Sequence, residues 1–346
     1  MIRAILSAIL YILYRQWGNK MKLWRLVASM LMAMLLLLCG CGLDDNALEQ
    51  TKPYLSKSER YYGMRDANGN LIKNIPQPKR IVSLCLRSDE ILMELVGPES
   101  ICSLSKWVDD PVISNITNEA KLVKGRSVPA EEYILSQRPD FVITNQSQSP
   151  DMIQRLRSIG IPVYVCKTAK TIEDTKTLIL DLGKLLKREE KAQSMVAEMD
   201  TVLADVAAKI ALIPDDKRVV VYRFSVSGGS GGKGTYYDDY CKHAGVINAA
   251  AKMRLWGTQL MPKEQIVNAN PDVVFLPTWD YTGKINLDYY VDEIARDPAM
   301  QTVSAIKNKR MYLIPDKHML DSSQYMVKCV EDIYDACYGN AKPVKF

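Results

Sequence analysis

Twice in this chain a glutamate stands seven residues ahead of a Pro-Asp pair that leads into an apolar run. Glu132 precedes Pro139 and Asp140 in this way, and Glu264 precedes Pro271 and Asp272. Proline ends a helix and aspartate opens a turn, so local structure accounts for Pro-Asp alone. It does not account for the paired glutamate, which sits near a helix start each time. The pattern therefore marks an internal repeat and predicts two similar lobes. The surrounding elements agree. In the first half, strand-like runs at 80–86, 101–104, 141–144 and 163–166 alternate with helical stretches at 88–96, 129–137 and 150–159, with Ser88 as N-cap of the first helix. In the second half, strands at 218–224, 273–277 and 310–314 alternate with helices at 236–244, 262–268 and 288–296 and a closing helix at 321–338. Short apolar strands alternating with helices predict an α/β fold, each lobe built on a central, mostly parallel sheet flanked by helices.

Between the halves, residues 171–210 hold no proline and a single glycine, Gly183. Leu178, Leu182, Leu185 and Leu186, then Met195, Met199, Val202, Leu203 and Val206, keep helical spacing. Read as one helix over 171–212, the segment is a strut of roughly 60 Å. It bridges an N-terminal lobe at 78–170 and a C-terminal lobe at 213–340.

Charge is unevenly placed. The chain has 45 Lys and Arg against 40 Asp and Glu, but residues 1–41 contain Arg3, Arg15, Lys20, Lys22 and Arg25 and no acid. The remainder is neutral, which argues against a nucleic-acid partner. From Met21, a short basic stretch is followed by an uncharged apolar run from Leu26 to Leu38, too short to span a bilayer and suited to a signal peptide. The run ends in Leu38-Cys39-Gly40-Cys41, which resembles the bacterial lipobox. That resemblance implies lipidation at Cys41 and a chain held at the cell envelope, facing outside the cytoplasm. An uncleaved anchor is the alternative, and Met21 is an alternative start. Residues 42–77, polar over 44–60, read as a tether. Of eight Cys, six lie beyond Cys41. They permit disulfides without demanding them, and with two His and no CxxC no metal site is expected.

Several features combine into a resemblance: the lipobox, Lys79-Arg80-Ile81-Val82-Ser83-Leu84, the duplicated Glu with Pro-Asp, the interlobe helix, and the run from Ala305 to Tyr312. Over residues 78–338 the chain resembles the solute-binding proteins of ABC importers for iron–siderophore, haem and cobalamin. The resemblance implies two lobes bridged by one helix, a ligand cleft between them and little hinge motion. It implies a monomer that works with an ABC permease dimer and its ATPase. Glu132 and Glu264 would dock into basic pockets of the permease, with Glu131 the alternative for the first. It implies a metal chelate as ligand, ferric siderophore first, then cobalamin or haem, with no resident cofactor and no catalysis.

The cleft should be lined by loops that follow strand ends. From the first lobe these carry Arg87, Ser88, Trp107, Asp109, Asn145 and Gln146; from the second, Arg223, Ser225, Tyr236, Tyr237, Trp256, Trp279, Tyr281 and His318 with Met319. The tryptophans offer flat apolar area, and Arg87 and Arg223 suit carboxylates or phenolates of an anionic chelate. Tyr236, Tyr237 and His318 are the residue types that ligate haem iron. The glycine-rich run 227–235 lacks the Walker pattern, because Gly234 follows Lys233, and reads as a flexible loop at the cleft rim. An exported hydrolase is the rival class. With only His243 and His318 and no Gly-x-Ser-x-Gly elbow, no nucleophile–base constellation is legible.

Overall fold

Apolar runs of three to five residues become parallel strands here, since helices cover both faces of each sheet and leave no polar face to alternate. The computed structural model describes residues 61–344. The first lobe contains β3 (Ile81–Ser83), β4 (Ile101–Ser105), β5 (Gly125–Ser127), β6 (Phe141–Asn145) and β7 (Val163–Cys166), ordered β5-β4-β3-β6-β7. The second contains β8 (Val220–Arg223), β9 (Ile247–Asn248), β10 (Val273–Leu276) and β11 (Met311–Leu313), ordered β11-β10-β8-β9. All these pairings are parallel. With β5 set aside, both sheets obey one scheme: the opening strand lies between the second and the third, and the fourth follows the third.

The repeated Pro-Asp does the same work in both lobes. The Asp140 carboxylate accepts from the backbone N–H groups of Lys79 (2.8 Å) and Arg80 (2.9 Å), and that of Asp272 accepts from Val220 N–H (2.8 Å). Each aspartate thus ties the start of the third strand to the start of the opening strand. The residues before the prolines, Arg138 and Asn270, both take left-handed conformations, at φ 49° and 46°. Upstream, α2 (Glu131–Ser136) and α8 (Lys263–Ala269) bury Ile134 and Ile266 at matching positions.

The bridge is not one helix. It is two, α4 (Ile172–Leu186) and α5 (Glu189–Ile210), folded back on each other. Lys187 takes a left-handed conformation (φ 58°, ψ 47°), and Arg188 N–H reaches back to Gly183 O at 2.7 Å, the 6→1 bond of a Schellman stop. Five consecutive charged residues, 187–191, interrupt the apolar stripe at that point. Gly183 makes the return possible: a Cβ there would lie 2.4 Å from the Ala192 Cβ. Lys176, nearly buried, bridges Glu173 (2.6 Å) and Asp200 across the pair. A capping box of Thr171 and Asp174 starts α4.

Further expectations change. Residues 61–73, placed in the tether, form an antiparallel hairpin of β1 (Tyr61–Arg65) and β2 (Leu71–Lys73), secured to the first lobe by Asp66 with Arg157 and by Ala67 N–H to Val165 O at 2.9 Å. Residues 1–60, with Cys41, lie outside the described residues. The glycine run is not a loose loop. Ser230, Gly232 and Lys233 N–H groups donate to Gln259, Gly257 and Leu255 carbonyls at 2.8–3.1 Å, and a Cβ on Gly232 would meet Leu255 O at 2.5 Å. The closing helix, α12 (Met326–Tyr338), begins five residues later than its apolar pattern suggested.

One apolar core runs through both lobes. Phe141 and Ile143 of the first sheet, Leu182, Met195 and Met199 of the α4–α5 pair, Val330 and Ile333 of α12, and Val273 and Phe275 of the second sheet belong to one continuous cluster. Among the described residues no helix is long and apolar enough to cross a membrane, and Cys85, Cys102, Cys166, Cys241, Cys329 and Cys337 are free thiols.

Candidate functional site

In parallel α/β sheets the crevice lies beyond the carboxyl ends of the strands. Helix α1 (Leu86–Leu95) starts directly after β3 and places Arg87 there; β6 ends in Asn145. From the second lobe, Thr278 and Trp279 follow β10, and residues 320–322 follow the short helix α11 (Asp316–Met319). These meet around a cavity of about 200 Å³ lined by Cys85, Leu86, Arg87, Ile113 and Asn145 from one side and Trp279, Leu320, Asp321 and Ser322 from the other. Trp107, in a short turn after β4, meets the lining residue Trp279 edge-on, ring centroids 6.2 Å apart and planes at 87°. Trp279 Nε1–H also donates to Asp110 (3.2 Å), and exposed Tyr281 leans on Trp279 at 6.4 Å.

Of the expected cleft residues, Arg87, Asn145 and Trp279 line this cavity, and Trp107 and Tyr281 pack on Trp279. Arg87 is not free, however: Nε donates to Ser322 Oγ (2.8 Å) and Nη1 to Lys167 O (2.5 Å), pinning the two lobes. Arg223, at the end of β8, is not among the residues that line this cavity. Its Nε is buried without a protein partner, and its guanidinium stands 5.5 Å above the Tyr237 ring.

Other expected residues go elsewhere. Ser88 is not an N-cap; Cys85 holds that position, and Ser88 lies buried with its hydroxyl 2.7 Å from Ser83 Oγ and donating to Cys85 O. Asp109 is committed to Arg126 through two bonds of 2.7 and 2.8 Å, and that hydrogen-bonded guanidinium holds its carboxyl below the usual range. Gln146 is exposed and reaches Ala67 O at 3.4 Å. Tyr237 is buried beneath Arg223, and Tyr236 packs on Tyr240 at 5.7 Å; burial pushes both phenols up. Trp256 is exposed under the Lys233 ammonium at 4.9 Å. His318, expected at a strand end, sits in α11 with Nδ1 2.6 Å from Asp332, and Met319 is buried against Cys329. Ser225 lines a different hollow of about 730 Å³, walled by Tyr222, Met261, Tyr290 and Met300. That hollow is larger, but only second-lobe residues contribute to it. Glu132 and Glu264 are both exposed in the first turns of matching helices, whereas Glu131 is paired with Arg155 at 2.5 Å.

Sequence reasoning missed Asp110, Ile113 and residues 320–322. Asp110 adjoins an expected residue, so only geometry separates the two. Asp321, Ser322 and Ser323 were absorbed into the closing helix, although three consecutive residues with capping side chains signal a helix start rather than an interior.

Comparison with known proteins follows this architecture. The family model described as periplasmic binding protein matches residues 81–318. The uncharacterized ABC transporter substrate-binding lipoprotein YvrC of Bacillus subtilis (strain 168) is 26% identical over 326 residues, covering 90% of this chain and 96% of its own. The Fe(3+)-citrate-binding protein YfmC of the same organism is 23% identical over 305 residues, covering 86% of this chain and 90% of its own. A crystal structure of a possible iron-binding (periplasmic solute-binding) protein from Staphylococcus epidermidis ATCC 12228 superposes with a TM-score of 0.62 at 23% identity, covering 76% of this chain and 100% of that one.

Proposed function

This chain belongs to the periplasmic binding protein family, and from that premise we propose that it is the lipid-anchored, extracytoplasmic receptor of an ABC importer, capturing an iron–siderophore-type chelate and passing it to a permease dimer driven by its ATPase. The observation that carries this reading is the cavity walled by both lobes, lined by Trp279, against which Trp107 packs. A chelate of siderophore size exceeds about 200 Å³, since sites for such molecules run to roughly 300–1,000 Å³. Capture therefore parts the two indoles, which then stack on the ligand. Arg223, with its unpartnered Nε, supplies the charge for an anionic chelate. The relative named for Fe(3+)-citrate supports an iron chelate, and the lipobox supports lipidation at Cys41.

Cobalamin is the second reading, favoured by the two flat indoles. Haem ranks below it, because His318 is engaged with Asp332 and the Tyr237 hydroxyl is buried. Titrating the protein with a ferric siderophore, cobalamin and haem while following tryptophan fluorescence tests the reading. The siderophore should quench it, and Trp107→Ala and Arg223→Ala should each weaken binding by about 1–2 kcal/mol, roughly five- to thirtyfold. No quenching by any of the three would refute it.

A further inference from the structure

Two carboxylates from opposite lobes, Glu90 and the cavity-lining Asp321, meet through one serine hydroxyl. Glu90, on α1, is fully buried, and Asp321 of the second lobe nearly so. Glu90 Oε1 accepts from Asn115 N–H (2.8 Å) and Asn115 Nδ2 (3.2 Å). Asp321 Oδ1 accepts from the Ser322 and Ser323 N–H groups at 2.6 and 2.8 Å. The other two oxygens meet at one hydroxyl: Ser323 Oγ lies 2.7 Å from Glu90 Oε2 and 2.9 Å from Asp321 Oδ2, the latter also taking a long bond from Asn115 Nδ2 at 3.5 Å. A serine hydroxyl has one hydrogen to donate. With both carboxylates ionised, one of those contacts would set lone pair against lone pair, inside a site where burial makes an unpaired charge costly.

We propose that Glu90 and Asp321 share a single proton, and that this proton latches residues 320–325 of the second lobe onto helix α1 of the first, so that closure of the cleft floor depends on pH. The neighbouring charges are already committed. On α1 itself, Arg87 is bound to Ser322 and Lys167 O, Asp89 to Ser105, and Glu94 to Lys191 of α5 and Gln324. From the α11 side Lys317 offers its carbonyl to Asn115, and His318 faces Asp332 of α12. Tyr240 of the helix over 236–243 donates its hydroxyl to Asp321 O. Further bonds cross at the same place, from Gln324 Nε2 to Glu90 O (3.0 Å) and from Thr175 to Ser322 O (3.2 Å).

Burial, reinforced by the facing Asp321, pushes Glu90 well above the ordinary carboxylate range, and burial raises Asp321 as well. The sign follows from the direction. Groups raised in the folded state stabilise it fully below their unfolded values, near 4, and that contribution is lost as pH rises through the raised values.

The test needs no ligand, so its outcome is separate from that of the transport reading. Wild-type protein at neutral pH should show the infrared C=O absorption of a protonated carboxyl, and Glu90→Gln should lose it. Between about pH 5 and about pH 8 the wild type should lose melting temperature faster than the variant, by roughly 2–4 °C per pH unit where the pair titrates. Glutamine keeps an acceptor for Asn115 and adds a donor for the shared site. If Glu90→Gln fails to fold, Asp321→Asn serves in its place. Parallel melting profiles, or a wild-type spectrum without the band, would overturn the latch.

Discussion

Asp140 and Asp272 show how much one side chain can fix. Each stands where two parallel strands begin, and its carboxylate satisfies backbone N–H groups that the ladder has not yet reached. Asp140→Ala and Asp272→Ala should each cost about 1–2 kcal/mol, the scale of a partly exposed bond to a charged acceptor, with Asp140 losing more because it holds two donors. Chemical denaturation reads this directly; equal stability of both variants with wild type would show that the duplicated aspartate has no structural task. The repeat was visible as spacing, but the partners of each aspartate lie about sixty and fifty residues upstream. For the same reason Asp109 and Asp110 could not be ranked from sequence. Only the positions of Arg126 and Trp279 assign one to an ion pair and the other to an indole N–H.

At the scale of elements, the α4–α5 pair departs most from expectation. Apolar periodicity holds on both sides of residues 187–191, so a single long helix satisfied the pattern; what decides is the apolar stripe that each half presents to the other. Replacing an exposed helical glycine by alanine ordinarily gains up to about 1 kcal/mol. At Gly183 the sign should reverse, because the new Cβ meets Ala192 at 2.4 Å. Gly183→Ala should destabilise by roughly 1–3 kcal/mol, as overpacking does, and Ala192→Gly in the same chain should restore part of that loss. A double-mutant cycle of unfolding free energies measures it, and additivity would contradict the packing. The glycines at 231 and 232 were legible as flexible and turned out to be required for contact, with Gly231 against the Tyr237 ring and Gly232 against a backbone carbonyl.

At the scale of the whole molecule, the two sheets share one apolar core. Leu182, Met195 and Val330 bind both sheets into one apolar cluster, so the lobes should unfold together. Calorimetry and tyrosine or tryptophan fluorescence should report one coincident transition, and two resolved transitions would show independent lobes. Glu132 and Glu264 stand exposed, one per lobe. The double variant Glu132→Ala, Glu264→Ala should keep its stability within about 0.5 kcal/mol, as expected of exposed sites, and retain ligand affinity while abolishing uptake by cells. Unimpaired uptake would remove these residues from the docking role. Local pattern alone marked seven of the eleven strands among the described residues, most helices and the lobe duplication, because each depends on neighbours within a few positions, whereas the short strands Gly125–Ser127 and Ile247–Asn248 carry too few apolar residues to be legible. That Arg87 is tied to Ser322, where the bridge folds, and that Glu90 meets Asp321 across 230 intervening residues are tertiary facts. They arise only when two lobes close on each other and each buried polar atom must find the partner that remains.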